Sequence, residues 1–139
     1  MYIYNAKVVY SGERMGKLCC SNGTELEFSA PPEFGGYKGF ATPEDLFTAS
    51  IATCLMLTFE TVCRKMGVSF QSFECECKST LEEIDGIEMM TKVVIKPRVK
   101  GSEVRKLEKA LVLAKKYCLV TNSIKSEIIF EPEVMGEKN

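Results

Sequence analysis

The stretch TPEDLFTASIATCLMLTFETVCRK, residues 42–65, constrains this chain more than any other. Thr42 can cap a helix, Pro43 suits its first position, and Glu44 and Asp45 sit where the positive end of the dipole favours acids. The pattern predicts a helix that runs to about Met66 and stops at Gly67, about 24 residues or roughly 36 Å long. From Leu46 to Phe59 the only non-apolar residues are Thr and Ser. A helix apolar on every side has to be surrounded. With 139 residues the chain is expected to form one domain, residues 1–139, burying about two-thirds of its unfolded surface. That is too little to enclose such a helix alone. A second copy would complete the burial, so a homodimer is expected.

The flanking segments are shorter and easier to place. Residues 2–10 (YIYNAKVVY), then KLCC and TELEFSA, are separated by the turns SGERMG and SNG and predict a three-stranded meander. PPEFGGYKGFATP is too rich in Pro and Gly for a regular element; it reads as a connector or as an ordered wall of a site. After the helix, VSFQSFECECKST alternates, with Phe73, Cys75 and Cys77 on one face. Asp85-Gly86 turns the chain and EMMTKVVIKPRV returns as its partner. Val104, Leu107, Leu111, Ala114 and Cys118 mark the apolar stripe of a second helix, from Ser102 to about Cys118. LVTNS breaks it, and IKSEIIFEPEV supplies a last strand. The order βββ-α-ββ-α-β makes this an α+β fold, with two long helices expected to pack together.

Composition narrows the chemistry. A net charge of −1 with acids and bases intermixed argues against a nucleic-acid partner, which needs a basic face. No uninterrupted run approaches the roughly 20 apolar residues of a membrane span, and the alternating N-terminus does not read as a signal peptide. Seven cysteines, an odd count without a secretory signal, point to a reducing, cytoplasmic setting. There is no histidine, which excludes Ser-His-Asp and Cys-His machinery and every His-containing zinc site. Four-cysteine zinc sites need paired C-x₂-C spacing, and none occurs. No metal and no cofactor are expected. Cysteine is the leading nucleophile.

Most buried cysteines act as small hydrophobes, and Cys63, Cys75 and Cys77 read as core filler. Cys54 and Cys118 lie on, or at the end of, apolar helical surfaces that could meet. Spacing alone leaves open whether they are packing or a reactive pair.

GGYKGFATPEDLFTASIATCLMLTFE, followed about sixty residues later by AKKYCLVTNSI, resembles the OsmC/Ohr family of cysteine peroxidases, named for osmotically induced protein C and organic hydroperoxide resistance. Members carry a Gly-rich loop, a Pro-Glu pair opening a helix, and a Cys ten residues beyond that Glu; Pro43-Glu44 and Cys54 match. SGERMGK is similar to the family's strand-turn segment bearing a site arginine, here Arg14. One departure is Leu119, which follows Cys118 where many members have Pro. The resemblance implies an OsmC-like fold, an intertwined homodimer, and a stress-response peroxidase that reduces hydroperoxides, organic ones preferred, to alcohols. It implies that Cys54 becomes a sulfenic acid and that Cys118 resolves it as a disulfide. A dithiol donor, such as a lipoylated protein or a small thiol, would close the cycle.

Physical chemistry limits how this can work. Only a few per cent of a free thiol is ionised at neutral pH, and burial lowers that further. Cys54 lies about three turns into its helix, beyond the reach of the N-terminal dipole. With no histidine, Arg14 is expected to supply most of the stabilisation of the thiolate. Glu44 is ten residues from Cys54, or about 15 Å of helical rise, so the two cannot touch within one chain. If Glu44 orients Arg14 beside Cys54, it comes from the other subunit. Phe34, Tyr37 and Phe40 are candidates for the apolar walls of a substrate pocket. Two other readings stand beside this one: a non-catalytic dimer binding a small hydrophobic ligand, and another thiol enzyme on the same scaffold.

Overall fold

Residues 1–136 are described by the structure, a computed structural model in which the chain forms two units, Met1–Phe47 and Thr48–Asn139. In the first unit, β1 (Ala6–Gly12), β2 (Met15–Cys20) and β3 (Glu25–Ser29) form an antiparallel sheet in that order. The expected meander is present, with its first strand beginning at Ala6 rather than residue 2. The β1–β2 turn carries positive φ at Gly12, Glu13 and Arg14 (108°, 45° and 71°). Left-handed backbone is costly for side-chain-bearing residues, so Glu13 and Arg14 are held there by their surroundings.

The Pro/Gly segment is ordered. It contains a 3₁₀ turn, Pro32–Phe34, and closes back on β3: the Tyr37 N–H donates to Ser29 Oγ (2.9 Å) and the Gly36 N–H to the Pro31 carbonyl (3.0 Å). A Cβ on Gly36 would lie 1.6 Å from the Ala30 carbonyl oxygen. Only glycine allows that approach.

Helix α1 (Pro43–Met66) begins as its sequence requires. Thr42 Oγ1 accepts from the Asp45 N–H (3.0 Å) and the Asp45 carboxylate accepts from the Thr42 N–H (3.2 Å), a reciprocal cap. At the other end Gly67 takes φ 68°, its N–H donating to the Arg64 carbonyl and the Val68 N–H to that of Cys63. This double bond with a left-handed glycine is a Schellman ending, and Val68 and Cys63, at the positions such an ending favours for apolar residues, are both buried.

The second unit carries the main core. Strands β4 (Ser72–Ile84) and β5 (Ile87–Lys100) form a long antiparallel hairpin closed by Asp85 and Gly86, both at positive φ (51° and 83°). Helix α2 (Val104–Tyr117) follows, then a single helical turn, α3 (Leu119–Asn122). The last strand, expected as one, is two: β6 (Glu127–Phe130) and β7 (Glu133–Met135) both pair with β5 in parallel, against Lys92–Ile95 and Arg98–Lys100. The gap falls opposite Pro97, which has no N–H for a ladder bond, and Pro132 lies in the gap itself.

Val93, Ile95, Pro97 and Val99 of β5 are buried on one face. Leu107, Ala110, Leu111 and Ala114 of α2 and Ile51, Leu55, Phe59 and Cys63 of α1 are buried as well. The Phe59 ring lies 5.1 Å from that of Phe70 and 5.2 Å from that of Phe73. Each large side chain so enclosed contributes about 1.5–3 kcal/mol.

The rest of the α1 circumference is barer. Met56 and Leu57 are 43% and 57% exposed. By length and composition α1 is apolar enough to cross a membrane, although no uninterrupted apolar run suggests it. Its Ile51–Leu55–Phe59–Cys63 stripe, at every fourth residue, instead packs into the core.

Candidate active site

Cys54 is in the middle of α1 and Cys118 at the end of α2, where the chain leaves the helix with extended backbone (φ −67°, ψ 110°) before α3 begins. The two thiols meet: Cys118 donates a hydrogen bond to Cys54. Cys118 is wholly buried, whereas Cys54 is half-buried and opens onto a cleft.

Burial alone would push the Cys54 thiol up. Hydrogen bonds from the Val120 N–H, the Cys118 thiol, the Thr58 hydroxyl and the Leu119 N–H outweigh it and hold Cys54 below the usual thiol range. The N–H groups that open a helical turn lack partners within it, so the start of α3 is free to point donors at sulfur. Cys118 moves the opposite way: burial raises it, and donation to the Cys54 sulfur raises it further. The two thiols therefore diverge: Cys54 gives up its proton more readily than an ordinary thiol and Cys118 less readily. Cys63 is pushed up to about 11 by burial and stays protonated.

The cleft holds about 850 Å³ and is walled by Leu57, Val62 and Met66 of α1, Leu113 and Tyr117 of α2, and Leu119. A mostly apolar cavity ending at an acidified thiol can seat an alkyl or aryl group and present a polar end to sulfur.

The other expected site residues lie in the first unit. Arg14 donates from Nη2 to the Phe34 carbonyl (2.9 Å), and the Tyr37 hydroxyl donates to the Glu13 carboxylate (3.2 Å). Donation to that carboxylate holds the Tyr37 phenol above its usual range. The β1–β2 turn and the Gly-rich loop are thereby tied together, with Phe34 and Tyr37 exposed and Phe40 partly so. Glu44 stands in the first turn of α1.

The structure thus joins Cys54 to Cys118, and Arg14 to the loop bearing Phe34. Sequence reasoning assigned most of the thiolate's stabilisation to Arg14. It missed the donors of the second unit, Thr58 and the Leu119 and Val120 N–H groups, and the cleft walls from α2. Thr58 was within reach, because residues four apart share a helix face. Leu113 and Tyr117 have the same spacing. The α3 donors left no signal, since any residue but proline carries an N–H.

Comparison with known proteins places these features in context. A family model described as OsmC-like protein matches residues 36–133. A search of curated proteins finds no match. Among solved structures, an OsmC-like protein of unknown function from Vibrio cholerae superposes with a TM-score of 0.86 at 24% identity, covering 95% of this chain and 99% of that one. An organic hydroperoxide resistance protein from Elizabethkingia anophelis gives 0.80 at 21% identity, covering 99% and 98%. One from Bacillus subtilis gives 0.72 at 18% identity, covering 96% and 98%. At these identities the likeness shows the fold.

Proposed function

This chain belongs to the OsmC-like protein family, and on that premise we propose that it is a homodimeric thiol peroxidase that reduces hydroperoxides, organic ones preferentially, in a reducing cytoplasm. The observation that carries this reading is the Cys54–Cys118 contact, with Cys54 made more acidic by its hydrogen-bond donors at the end of a mostly apolar cleft.

The chemistry follows from the division of protons. The Cys54 thiolate attacks the distal oxygen of ROOH; the O–O bond breaks and the alkoxide leaves as the alcohol after taking a proton. Cys54 is then a sulfenic acid and no longer an acceptor that holds Cys118 protonated. Cys118 attacks the sulfenic sulfur, hydroxide leaves with the Cys118 proton as water, and a Cys54–Cys118 disulfide remains. A dithiol donor, a lipoylated protein or a small thiol, returns both to thiols by exchange.

Arg14 and Glu44 complete the site in this proposal. The Arg14 guanidinium, carried on its left-handed turn, adds positive charge beside the peroxide and the departing alkoxide, and Glu44 orients it. Because Glu44 and Cys54 are separated by about 15 Å of one helix, Glu44 serves the site of the partner chain. The bare Met56–Leu57 side of α1 supports association with a second copy. Phe34, Tyr37 and Phe40 are assigned to the outer wall of the substrate site.

The test is steady-state turnover with dihydrolipoamide as donor. Cumene hydroperoxide should be consumed faster than hydrogen peroxide, and Cys54→Ser should abolish both. Protein with reduced Cys54 that consumes neither would overturn the peroxidase and favour a binding module.

A further inference from the structure

The cleft extends well beyond Cys54. Cys54, Thr58, Thr61, Val62 and Lys65 all line it, at the three- and four-residue spacing that keeps them on one face of α1. Eleven residues make about three turns, so Lys65 stands on the same side of the helix as Cys54, about 16 Å further along its axis. Helical side chains lean toward the N-terminus, which directs the Lys65 ammonium back along the cleft.

Among the described residues Lys65 is the one charged side chain on the cleft wall. Its neighbour Arg64 is paired with Glu60 (3.2 Å), whereas no ion pair of the described residues includes Lys65. Between the two ends the wall suits hydrocarbon. The Thr58 and Thr61 hydroxyls donate to the Cys54 and Leu57 carbonyls (2.8 and 3.0 Å), which takes up their protons, and Leu113 and Tyr117 of α2 stand in the same lining. A volume of about 850 Å³ is near the upper end for ligand pockets and far more than one aryl ring needs. Leu57 borders both the cleft and the flank assigned above to a second copy, so association would enclose the hydrocarbon further.

We propose that Lys65 sets the substrate preference of this cleft: it pairs with the carboxylate of a long-chain acyl hydroperoxide whose peroxide group lies at Cys54. The proposal rests on the peroxidase reading above and names a substrate class for that same site. The acyl chain runs along the α1 face, with its charge at one end of the cleft and its reactive bond at the other. A hydroperoxide too short to reach both ends, or one whose acid is esterified, binds through hydrocarbon alone. A lysine in the last turn of a helix also suits the negative end of the dipole, a role that holds whatever the substrate and that a comparison of acid with ester does not register.

The test compares the 13-hydroperoxide of linoleic acid with its methyl ester, below micelle-forming concentrations and with dihydrolipoamide as donor. In the wild-type protein kcat/KM for the acid should exceed that for the ester about two- to fivefold, the effect of an ion pair at an exposed lysine, and the difference should lie in KM. High salt should bring the ratio toward one by screening the pair. Lys65→Met should bring it to one, Lys65→Glu should invert it, and Lys65→Arg should retain it. Because each protein is its own reference, a variant that folds poorly lowers both rates and leaves the ratio readable, and the salt arm needs no variant. Equal kcat/KM for acid and ester in the wild type overturns the assignment of Lys65 and leaves the peroxidase intact, as does an acid preference that survives Lys65→Met. No consumption of either lipid or of cumene hydroperoxide overturns the peroxidase, and this assignment with it.

Discussion

The Thr58 hydroxyl stands one helical turn beyond Cys54, 2.8 Å from its carbonyl oxygen and 3.9 Å from its sulfur. Its single proton goes to the carbonyl while Cys54 is a thiol and can turn to the sulfur when the anion forms. Thr58→Val keeps the shape and removes that choice. A lost donor of this kind costs about 0.5–1.5 kcal/mol, so peroxide reduction at neutral pH should fall about two- to tenfold. Alkylation of Cys54 followed against pH should move to higher pH. An unmoved profile would mean the hydroxyl serves only the helix backbone.

Leu119 contributes an N–H that proline cannot. Leu119→Pro should therefore raise the pH at which Cys54 ionises, by the same measurement, while leaving the Val120 N–H in place. The fold tolerates proline at the first position of a helical turn, so secondary structure by circular dichroism should be unchanged.

The buried Cys63 gives a pH prediction with a fixed sign. Because its thiol is pushed up to about 11, the neutral form persists through the physiological range. Thiolate, and with it alkylation, should appear only as the solution approaches that pH. Cys54, displaced downward, should be labelled first among the helical thiols. Mapping iodoacetamide adducts by mass spectrometry across a pH series checks the order.

In the proposed mechanism Arg14 would act on peroxide cleavage rather than on thiolate formation. The donors around Cys54 lie in its own unit, so Arg14→Ala should shift the Cys54 alkylation profile less than Thr58→Val does. It should lower kcat/KM for cumene hydroperoxide by at least about tenfold if the guanidinium stabilises the departing oxygen. Arg14→Lys should restore part of the loss. Equal rates in all three proteins would remove Arg14 from the site.

What could be read from residues alone follows from how local the cause is. The α1 boundaries were legible because Thr42, Asp45 and Gly67 act on their own neighbours. The β4–β5 turn was legible because Asp85-Gly86 is suited to two consecutive left-handed residues. The division of the last strand was only half legible: Pro132 lies within the segment, but Pro97, opposite the gap, is thirty or more residues earlier and on another strand. The pairing of Cys54 with Cys118 entered through family resemblance, and the donors that set its chemistry are backbone groups. Backbone donors depend on conformation, which residue types reveal only weakly.

The uncovered flank of α1 would link this protein's folding to its abundance. With Met56 and Leu57 turned to water, a lone chain loses the hydrophobic stabilisation that a second copy would add, and mass action decides how much of it is recovered. If the flank is where two copies join, the melting temperature should climb as the protein is concentrated. Dilution would then switch off catalysis before it unfolds either chain, because each half-site would lose the carboxylate its neighbour lends.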